Sequence, residues 1–239
     1  MSSGYHPVMT DIREMLLDGR PVTLRVLRNR QARRIQTRID AASGSVILVL
    51  PMRANEAQGL EFIRKHANWL LHRLSELPPR IQFSHGAIIP FRGVPHRIKH
   101  DLASGRRVRL VDGIIEFGGK YDGLARRLTT WLRAEARSTI EPLAMEKAAV
   151  IGHTPYAITI RDQKSRWGSC SSTGRLSFNW RLIMAPHNIL DYVVAHEAAH
   201  LMQMNHSSQF WSIVGQLTEN VGQARDWLKL HGSGLHRYG

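Results

Sequence analysis

The sequence is nearly free of cysteine: Cys170 is the only one among 239 residues, so no disulfide can form within the chain. Long apolar runs are also lacking. The most hydrophobic segments are "SVILVL" and "ILDYVVA", which are far too short to span a bilayer. The first residues, "MSSGYHPVMTDIREMLLDGRP", lack the basic segment and apolar core of a secretory signal. The sequence therefore predicts a cytoplasmic protein, and its 43% hydrophobic content is that of a folded one.

Acidic residues are scarce as well, with 19 Asp and Glu against 33 Lys and Arg. Part of the excess lies in one stretch in which no acid separates six arginines: Arg25, Arg28, Arg30, Arg33, Arg34 and Arg38. Such a surface attracts nucleic acid, a nucleotide or another polyanion, although a solvated basic hairpin has the same composition. No helix-turn-helix, RNA-binding sheet motif or cysteine finger accompanies the charge. Binding of a polyanion through the basic N-terminal half is therefore a hypothesis.

The first half of the chain has the pattern of short strands and turns. Alternating apolar residues predict strands in "VTLRVLR", "RRIQTRI" and "SVILVLP". An apolar stripe at helical spacing predicts one helix over "NEAQGLEFIRKHANWLLHRLSEL". Two hairpins are then expected, in "AIIPFRGVPHRIKH" and "RRVRLVDGIIEFGG", with their turns at Arg92-Gly93 and Asp112-Gly113.

The second half is predicted to be richer in helices. A long amphipathic helix is expected over residues 124–149, with Pro142 kinking or dividing it. Strands follow in "YAITIRD" and "RLSFNWRLI", and Pro186 then opens another helix. Two shorter helices are expected near residues 209–219 and 222–231. The sequence therefore predicts an α+β protein.

The predicted helix after Pro186 carries the pattern H-E-x-x-H. His196 and His200 lie about 40° apart around a helix axis, so both imidazoles can bind one metal ion. Glu197 lies about 100° from His196, where its carboxylate can hold a water bound to that ion and act as a general base. Zinc with three protein ligands keeps a fourth position for such a water and lowers its pKa towards about 7.

A third candidate ligand, His206, follows ten residues after His196. On a straight helix it would point about 80° away from His196, so the chain must turn after about Gln203, with Asn205 as the expected left-handed residue. Metzincins share this histidine spacing but have glycine where this chain has Gln203. The alternative is a helix whose histidines serve surface or packing roles. Unpaired histidines beside a buried stripe would be costly, which favours the metal site.

The residues before this helix complete a resemblance to a known family. The chain contains "RWGSC", a glycine-turned hairpin into "LSFNWRLIMAP", and then "DYVVAHEAAHLMQMNHSSQFW". In order and spacing these segments resemble the YgjP-like family of zinc metallopeptidases, relatives of the SprT and WLM groups of the zincin superfamily. The specific match covers about residues 161–214, and a weaker one extends back to about residue 25.

The resemblance implies an α+β fold in which a zincin-like catalytic domain, with a mixed sheet and an active-site helix, follows a β-rich N-terminal part. Together with the patterns above, it predicts three regions. Residues 1–20 are an N-terminal extension, residues 21–120 a β-rich basic region, and residues 121–239 the zincin-like metallopeptidase domain.

The resemblance also implies which residues form the active site. Zinc would be bound by His196, His200 and His206, with Glu197 as the general base. The "RWGSC" segment would lie near the active-site helix as a substrate-binding edge strand, to which an extended peptide adds through main-chain hydrogen bonds.

Four residues near that strand have roles that the sequence leaves open. Arg166 and Lys164 are candidates for stabilising a developing oxyanion, although either also suits a charge on a strand face. Trp167 is expected in the core rather than at the substrate. Cys170 is expected to be a lone buried thiol rather than a metal ligand or nucleophile.

The sequence leaves four functions open. The leading one is a zinc metallopeptidase that acts on a peptide or protein. A metal-dependent nucleotide or phosphoester hydrolase is the second, but neither a glycine-rich phosphate loop nor a pair of metal-binding carboxylates is present. The third is a non-catalytic nucleic-acid-binding module with structural zinc, which usually has four protein ligands. SprT-like relatives that act on proteins attached to DNA suggest the fourth, a DNA-associated protease guided by the basic N-terminal region.

Overall fold

The computed structural model describes residues 8–41, 43–77, 79–103, 105–164 and 166–239. Over these residues the chain combines helices with small mixed sheets, which confirms the α+β class. The chain divides into two compact units, Met1–Pro79 and Arg80–Gly239. None of the helices in the described ranges is both long and apolar enough to cross a membrane.

The first unit is built on a sheet with helices packed against one face. Its described elements are β1 Val8–Leu17, β2 Arg20–Asn29, β3 Gln36–Asp40, β4 Ser45–Pro51, α1 Glu56–Lys65 and α2 Ala67–Ser75. The strand order is β1-β2-β4-β3, in which β2 and β4 are parallel and the outer pairs are antiparallel. Leu24 and Leu48 from the central strands are fully buried with Ile63 of α1. The alternation of "VTLRVLR" therefore does reflect one face on a core.

The prediction of a single helix after β4 is wrong, because the chain forms two helices, α1 and α2, with a break at His66. The Nδ1 atom of His66 lies 2.8 Å from the carbonyl oxygen of Phe62, and its backbone N–H also donates to Ile63 O at 3.1 Å. A side chain that competes for the helix's own carbonyl groups weakens the regular hydrogen-bond ladder at that point. The apolar stripe nevertheless continues into α2, where Leu70 is buried.

The second unit contains the predicted metal motif. Its described elements are β5 Ile88–Phe91, β6 Val94–His100, β7 Arg109–Val111, β8 Ile114–Phe117, α3 Leu124–Val150, β9 Ala157–Arg161, β10 Gly168–Cys170, β11 Arg175–Asn179, a 3-10 helix Trp180–Met184, α4 His187–Ala199, α5 Ser208–Leu217 and α6 Val221–Leu235. One sheet has the order β5-β6-β8-β7, the topology of the sheet in the first unit. The other has the order β10-β11-β9, so that β10 is an edge strand antiparallel to β11.

The two predicted hairpin turns of the second unit are confirmed. Arg92-Gly93 and Asp112-Gly113 both have positive φ at each residue, at 52° and 80° and at 48° and 77°. Two successive positive φ values are the signature of the turn whose twist matches a two-residue hairpin. Of the strands that they connect, β5, β6 and β8 contribute buried residues to the same core as the long helix α3.

The helix α3 is continuous over Leu124–Val150, so of the two outcomes expected at Pro142, a kink or a division, the division did not occur. Residues four apart along one face are buried on both sides of the proline, among them Leu132, Ile140 and Ala144. Proline removes one backbone hydrogen bond from a helix, but burial of the same stripe before and after it stabilises the helix on both sides.

The second strand predicted before α4 ends earlier than expected. In "RLSFNWRLI" only Arg175–Asn179 is β-strand, and Trp180–Met184 forms a 3-10 helix. Asn179 is fully buried, and its side-chain oxygen accepts a hydrogen bond from Arg181 N at 3.0 Å, which caps the 3-10 helix. Apolar and polar residues alternate in this segment as they do in a strand, but from Trp180 onwards every residue is buried, so burial does not follow the alternation.

The compact units divide the chain earlier than the boundary expected near residue 120. The strands β5–β8 share one core with the helices of the second unit: Ile98 and Phe117 are fully buried in the same cluster as Leu132 and Val194. Strand β1 falls within the stretch expected as an N-terminal extension, of which residues 1–7 lie outside the described residues. The division into three functional regions stays a prediction.

A buried lysine fixes the position of α4. The Lys147 ammonium, near the end of α3, lies 2.6 Å from Asp191 Oδ1 on α4 and donates to Leu217 O at the end of α5 over 2.6 Å. Thr218 donates to the same carboxylate through its hydroxyl. Three helices are therefore tied together one turn before the histidines, which holds the metal motif in place.

Candidate metal centre

The H-E-x-x-H pattern lies at the C-terminal end of α4. Pro186 precedes the first turn of this helix, and His200 caps its last. The rings of His196 and His200 are 5.0 Å apart, as the spacing of four residues predicted. Both histidines are partly buried, whereas Glu197 between them is only 7% exposed.

The chain turns back towards the helix directly after His200. The α-helix ends at Ala199, and the backbone N–H of Gln203 returns to the carbonyl of Ala199 at 3.0 Å. The imidazole of His200 closes this turn, because its Nδ1 lies 3.0 Å from the carbonyl oxygen of Gln203. The turn expected after Gln203 therefore begins earlier.

The expectation of a left-handed Asn205 is wrong, since this residue does not have positive φ. Its side-chain oxygen instead accepts hydrogen bonds from Ser207 N at 3.2 Å and from Gln203 Nε2 at 3.1 Å. Gln203 Nε2 also donates to Ser207 Oγ at 3.1 Å. Two side chains thus hold the turn that glycine makes in metzincins, and Ser207 then caps α5.

The three candidate ligands are brought together by this turn. One ligand atom from each of His196, His200 and His206 lies within 4.8 Å of the others, and the Nε2 atoms of His196 and His206 are 3.2 Å apart. Two nitrogens that each lie about 2.0–2.1 Å from a tetrahedral zinc ion are about 3.3 Å apart. The spacing of this pair therefore fits a shared metal ion, which the three histidines could hold.

The hydrogen bond of His200 determines which of its nitrogens is free. A carbonyl oxygen only accepts, so Nδ1 carries the proton and Nε2 offers its lone pair. Metal-binding histidines commonly donate their second nitrogen to a carbonyl in this way. Among the described residues, His196 and His206 form the rest of the group, and no carboxylate or thiol joins it.

The electrostatics of the site also suit a metal ion. The pKa of His196 is lowered to about 4, first by burial and then by the neighbouring His200 and His206. Burial also lowers the pKa of His200, against the opposing effect of its hydrogen bond to Gln203. Both imidazoles are therefore neutral at pH 7, which is the form that binds metals.

The carboxyl group of Glu197 is perturbed in the opposite direction. Burial raises its pKa to about 7, and the positive charge of Arg166 counteracts part of that shift. A carboxyl group whose pKa lies near neutral pH can both accept and release a proton there. The site therefore combines three imidazoles with an acid–base group one residue away from the first of them.

Strand β10 lies directly against Glu197. A Cβ atom added to Gly168 would lie 2.5 Å from Glu197 Cγ and 2.7 Å from its Oε1, so only glycine leaves room for the carboxylate here. The predicted proximity of "RWGSC" to the motif helix is thus present in the geometry. The signal in the sequence was the glycine itself, whose role was not assigned.

The other residues of this segment have the following surroundings. Arg166 is exposed, and its charge reaches Glu197; Lys164 is exposed as well. Trp167 packs against the core and stacks on His236 with 4.8 Å between ring centroids, in agreement with the expected packing role. Cys170 is partly rather than fully buried, its pKa is raised to about 11 by burial, and it is not in the group of candidate ligands.

Sequence reasoning missed three residues around the histidines. Tyr192 lies one turn before His196, with 5.9 Å between ring centroids. The ring of Trp211 is 5.8 Å from that of His196 and 5.9 Å from that of His206. The guanidinium of Arg225, on α6, lies over the Trp211 ring at 4.9 Å. Arg225 has no local signal, because only the packing of α6 against α4 brings it to the site.

Zinc is expected to stabilise this protein against heat only while all three histidines are present. A ligand that binds only the folded state and is present at a free concentration of about 100 times its Kd adds about 2.7 kcal/mol to the free energy of unfolding. We expect zinc to raise the Tm of the parent protein, and the increase to be largely lost in His206→Ala, measured by differential scanning fluorimetry. The exposed His187, outside the group, provides the control His187→Ala, which should keep the increase. An equal zinc response in both variants would contradict the assignment of His206.

Comparisons with known proteins give one match. The model of the YgjP-like metallopeptidase domain matches residues 14–231, which is most of the chain. No curated protein and no solved structure matches significantly. The match extends over most of both compact units and includes the arginine-rich segment of the first unit and the three histidines. The chain belongs to the YgjP-like metallopeptidase family.

Proposed function

We propose that the protein is a zinc-dependent metallopeptidase that hydrolyses peptide bonds with an activated water. His196, His200 and His206 are the metal ligands, and Glu197 is the general base. The observation that carries the proposal is the convergence of three imidazoles beside a buried carboxyl group, itself covered by an edge strand. Membership of a metallopeptidase family supports the class of reaction.

The chemistry divides between the ion and the protein. Bound by three imidazoles, zinc would supply a Lewis acid with one open position, where a water becomes acidic near neutral pH. Glu197 takes up the proton of the attacking water and releases it to the leaving amine. Its raised pKa, near 7, suits both steps at neutral pH. Neighbouring His200 is held in its ligating tautomer by Gln203.

The edge of β10 is the proposed binding surface for the substrate backbone. Within the described residues β10 pairs only with β11, so its other edge has backbone groups available. An extended peptide that adds to this edge would pass over Glu197, because Gly168 touches that side chain. This geometry favours an unfolded or extended protein segment as substrate.

Arg225 is the proposed group for negative charge that develops on the substrate. Its side chain is exposed, it is stacked on Trp211 beside two of the three histidines, and no described carboxylate is paired with it. Stacking holds a guanidinium in one place without neutralising it. Arg166, a candidate from the sequence, has its charge close enough to Glu197 to lower the pKa of that carboxyl group.

Loss of the Arg225 charge is expected to slow turnover without loss of the metal. We expect Arg225→Ala to reduce kcat/KM roughly 10²-fold, the usual effect of removing one group that stabilises an oxyanion, and Arg225→Lys to recover part of it. Zinc content by atomic absorption should stay at the parent value. The control Lys229→Ala removes the same charge one turn further along α6 and should be active. Equal activity of parent and Arg225→Ala would exclude this role.

The phosphoester hydrolase is disfavoured by the composition of the site. The candidate ligands in the described part of the chain are three histidines without a carboxylate, whereas two-metal phosphoester sites are built with bridging carboxylates. A structural zinc site usually has four protein ligands, whereas this group has three histidines. A purely structural role would also not account for the buried carboxyl group of Glu197 beside them.

A mixed peptide library read by mass spectrometry tests the proposed function. The zinc-loaded protein should cleave peptides, and the same preparation after removal of zinc by a chelator should not, with activity returning when zinc is restored. Cleavage that persists without metal would reject the proposal. A fully zinc-loaded protein that hydrolyses a phosphodiester but no peptide would replace it with the alternative function.

A further inference from the structure

The arginine-rich segment of the first unit separates into two groups by its contacts. Arg25 lies 3.1 Å from Asp40, a carboxylate that is only 8% exposed. Arg28 donates to the carbonyl oxygens of Met52 at 2.9 Å and Ala54 at 3.0 Å, at the exit of β4. These two side chains therefore hold the unit together, and their charges are not offered to a ligand.

The other four arginines are free for a ligand. All have exposed side chains, and none of the carboxylates in the described ranges is paired with them: Arg30, Arg33, Arg34 and Arg38. The first three lie on the loop that leads from β2 to β3. Since β4 lies between β2 and β3 in the sheet, this loop must pass the end of β4. Its charges are therefore concentrated at one end of the sheet.

A recess lies at this same end of the sheet, with a volume of about 340 Å³. It is lined by Asn29, Gln31, Ala32, Gln36, Thr37, Arg38 and Val49. Three of these residues carry carboxamides, one a hydroxyl and one a guanidinium, and none is acidic. The volume is in the range of a site for a small ligand, at about 300–1,000 Å³.

Two of the residues that line the recess, Ala32 and Val49, are apolar. Val49 belongs to a small buried cluster with Leu27 and Ile47 on the sheet face away from α1 and α2, and Ala32 packs against this cluster. On the rim, Asn29 Oδ1 accepts a hydrogen bond from Gln31 N at 2.9 Å, so the Asn29 amide nitrogen remains a donor. Carboxamides can form paired hydrogen bonds with the edge of a base, and guanidinium groups bind phosphate oxygens in pairs.

We propose that this recess and the four arginines beside it bind a single-stranded nucleic acid, with one nucleotide in the recess and neighbouring phosphates on the loop. A recess of this size can admit one unstacked nucleotide but not a base pair, which favours a single strand over a duplex. Arg30, Arg33 and Arg34 are not among the residues that line the recess, so their charges suit the phosphates on either side of a bound nucleotide. The site is independent of the proposed peptidase activity.

Fluorescence anisotropy with a labelled single strand of about twelve nucleotides tests the proposal on the full, zinc-loaded chain. We expect binding that weakens with salt. The slope of log affinity against log salt is negative, and in Arg33→Ala/Arg34→Ala it should become less steep by about 1.4, which is about 0.7 for each lost phosphate contact. Gln36→Glu, which places an acid in the recess, should weaken binding about tenfold or more. Both variants should keep the Tm and zinc content of the parent.

The matched control removes the same number of charges elsewhere in the unit. Arg20 lies at the opposite end of β2, and Arg64 lies on α1, on the other face of the sheet. If Arg20→Ala/Arg64→Ala weakens binding and flattens the salt dependence as much as Arg33→Ala/Arg34→Ala does, the binding is general charge attraction and the proposal is wrong. Equal affinity for the duplex, or displacement of the strand by AMP at equal nucleotide concentration, would overturn it too. A parent that binds no strand at low salt would also overturn it.

Discussion

Glu197→Gln is expected to abolish peptide cleavage while leaving the zinc site intact. Glutamine has the size of glutamate but cannot take up a proton, so the loss should be that of a general base, roughly 10²–10⁴-fold in kcat. Glu197 is absent from the group of candidate ligands, which contains three histidines only in the described residues. Steady-state cleavage of a peptide found in the library, with zinc measured on the same sample, checks both parts.

The replacement is also expected to be mild for the fold. Glu197 is only 7% exposed, and burial raises its pKa to about 7 because the charged carboxylate is costly to bury. A neutral amide in the same space removes that charge, and we expect an equal or slightly higher Tm. Glu219→Gln, at an exposed position after α5, is the control and should be fully active. Cleavage at the parental rate by Glu197→Gln, or loss of its zinc, would each remove Glu197 from the role of base.

The metal group was accessible to sequence analysis because its geometry is mostly local. The four-residue spacing of His196 and His200 fixes their shared helix face whatever the rest of the fold does. For His206 the sequence predicted only that the chain must turn before this residue. The conformation of that turn was not predicted correctly, because Asn205 and Gln203 form it with side-chain hydrogen bonds rather than with a left-handed backbone. Such bonds leave no periodic pattern.

The sheet elements show the same division between local and distant causes. The turns at Arg92-Gly93 and Asp112-Gly113 were predictable, since two adjacent residues with positive φ define the hairpin. The order of the strands was not predictable, because β6 pairs in parallel with β8 and not with β7, the strand that follows it in the sequence. A 3-10 helix at Trp180–Met184 was missed because complete burial hides the period that separates helix from strand.

Arg225 and Gly168 stayed hidden for reasons that differ. Arg225 reaches the site only through the packing of α6, on a sequence separation of 29 residues from His196. Gly168 lies within the motif that resembles the family, but a glycine has no side chain from which a chemical role can be inferred. Its role is visible only in the space that it leaves for Glu197.

That space makes Gly168→Ala a selective test of how Glu197 is positioned. The new methyl group would lie 2.5 Å from Glu197 Cγ and 2.8 Å from its Cδ, and no contact of that length persists. The side chain of Glu197 is the flexible partner, so the carboxylate should swing away while β10 and α4 keep their places. A displacement of about 1 Å in a reacting group can cost about 10² in rate, and we expect a reduction in kcat of that size.

The reason for the loss can be separated from general damage by combining variants. Gly168 does not have positive φ, so alanine brings no backbone strain, and we expect zinc content and Tm near those of the parent. If the methyl group acts only by displacing the base, Gly168→Ala/Glu197→Gln should be as slow as Glu197→Gln alone, since a base already lost cannot be misplaced. Gly215→Ala, at a position in α5 with no atom within 4 Å of the added Cβ, is the control and should remain fully active. Losses that multiply in the double variant would show that Gly168 serves the reaction in another way, as a substrate contact on the edge of β10.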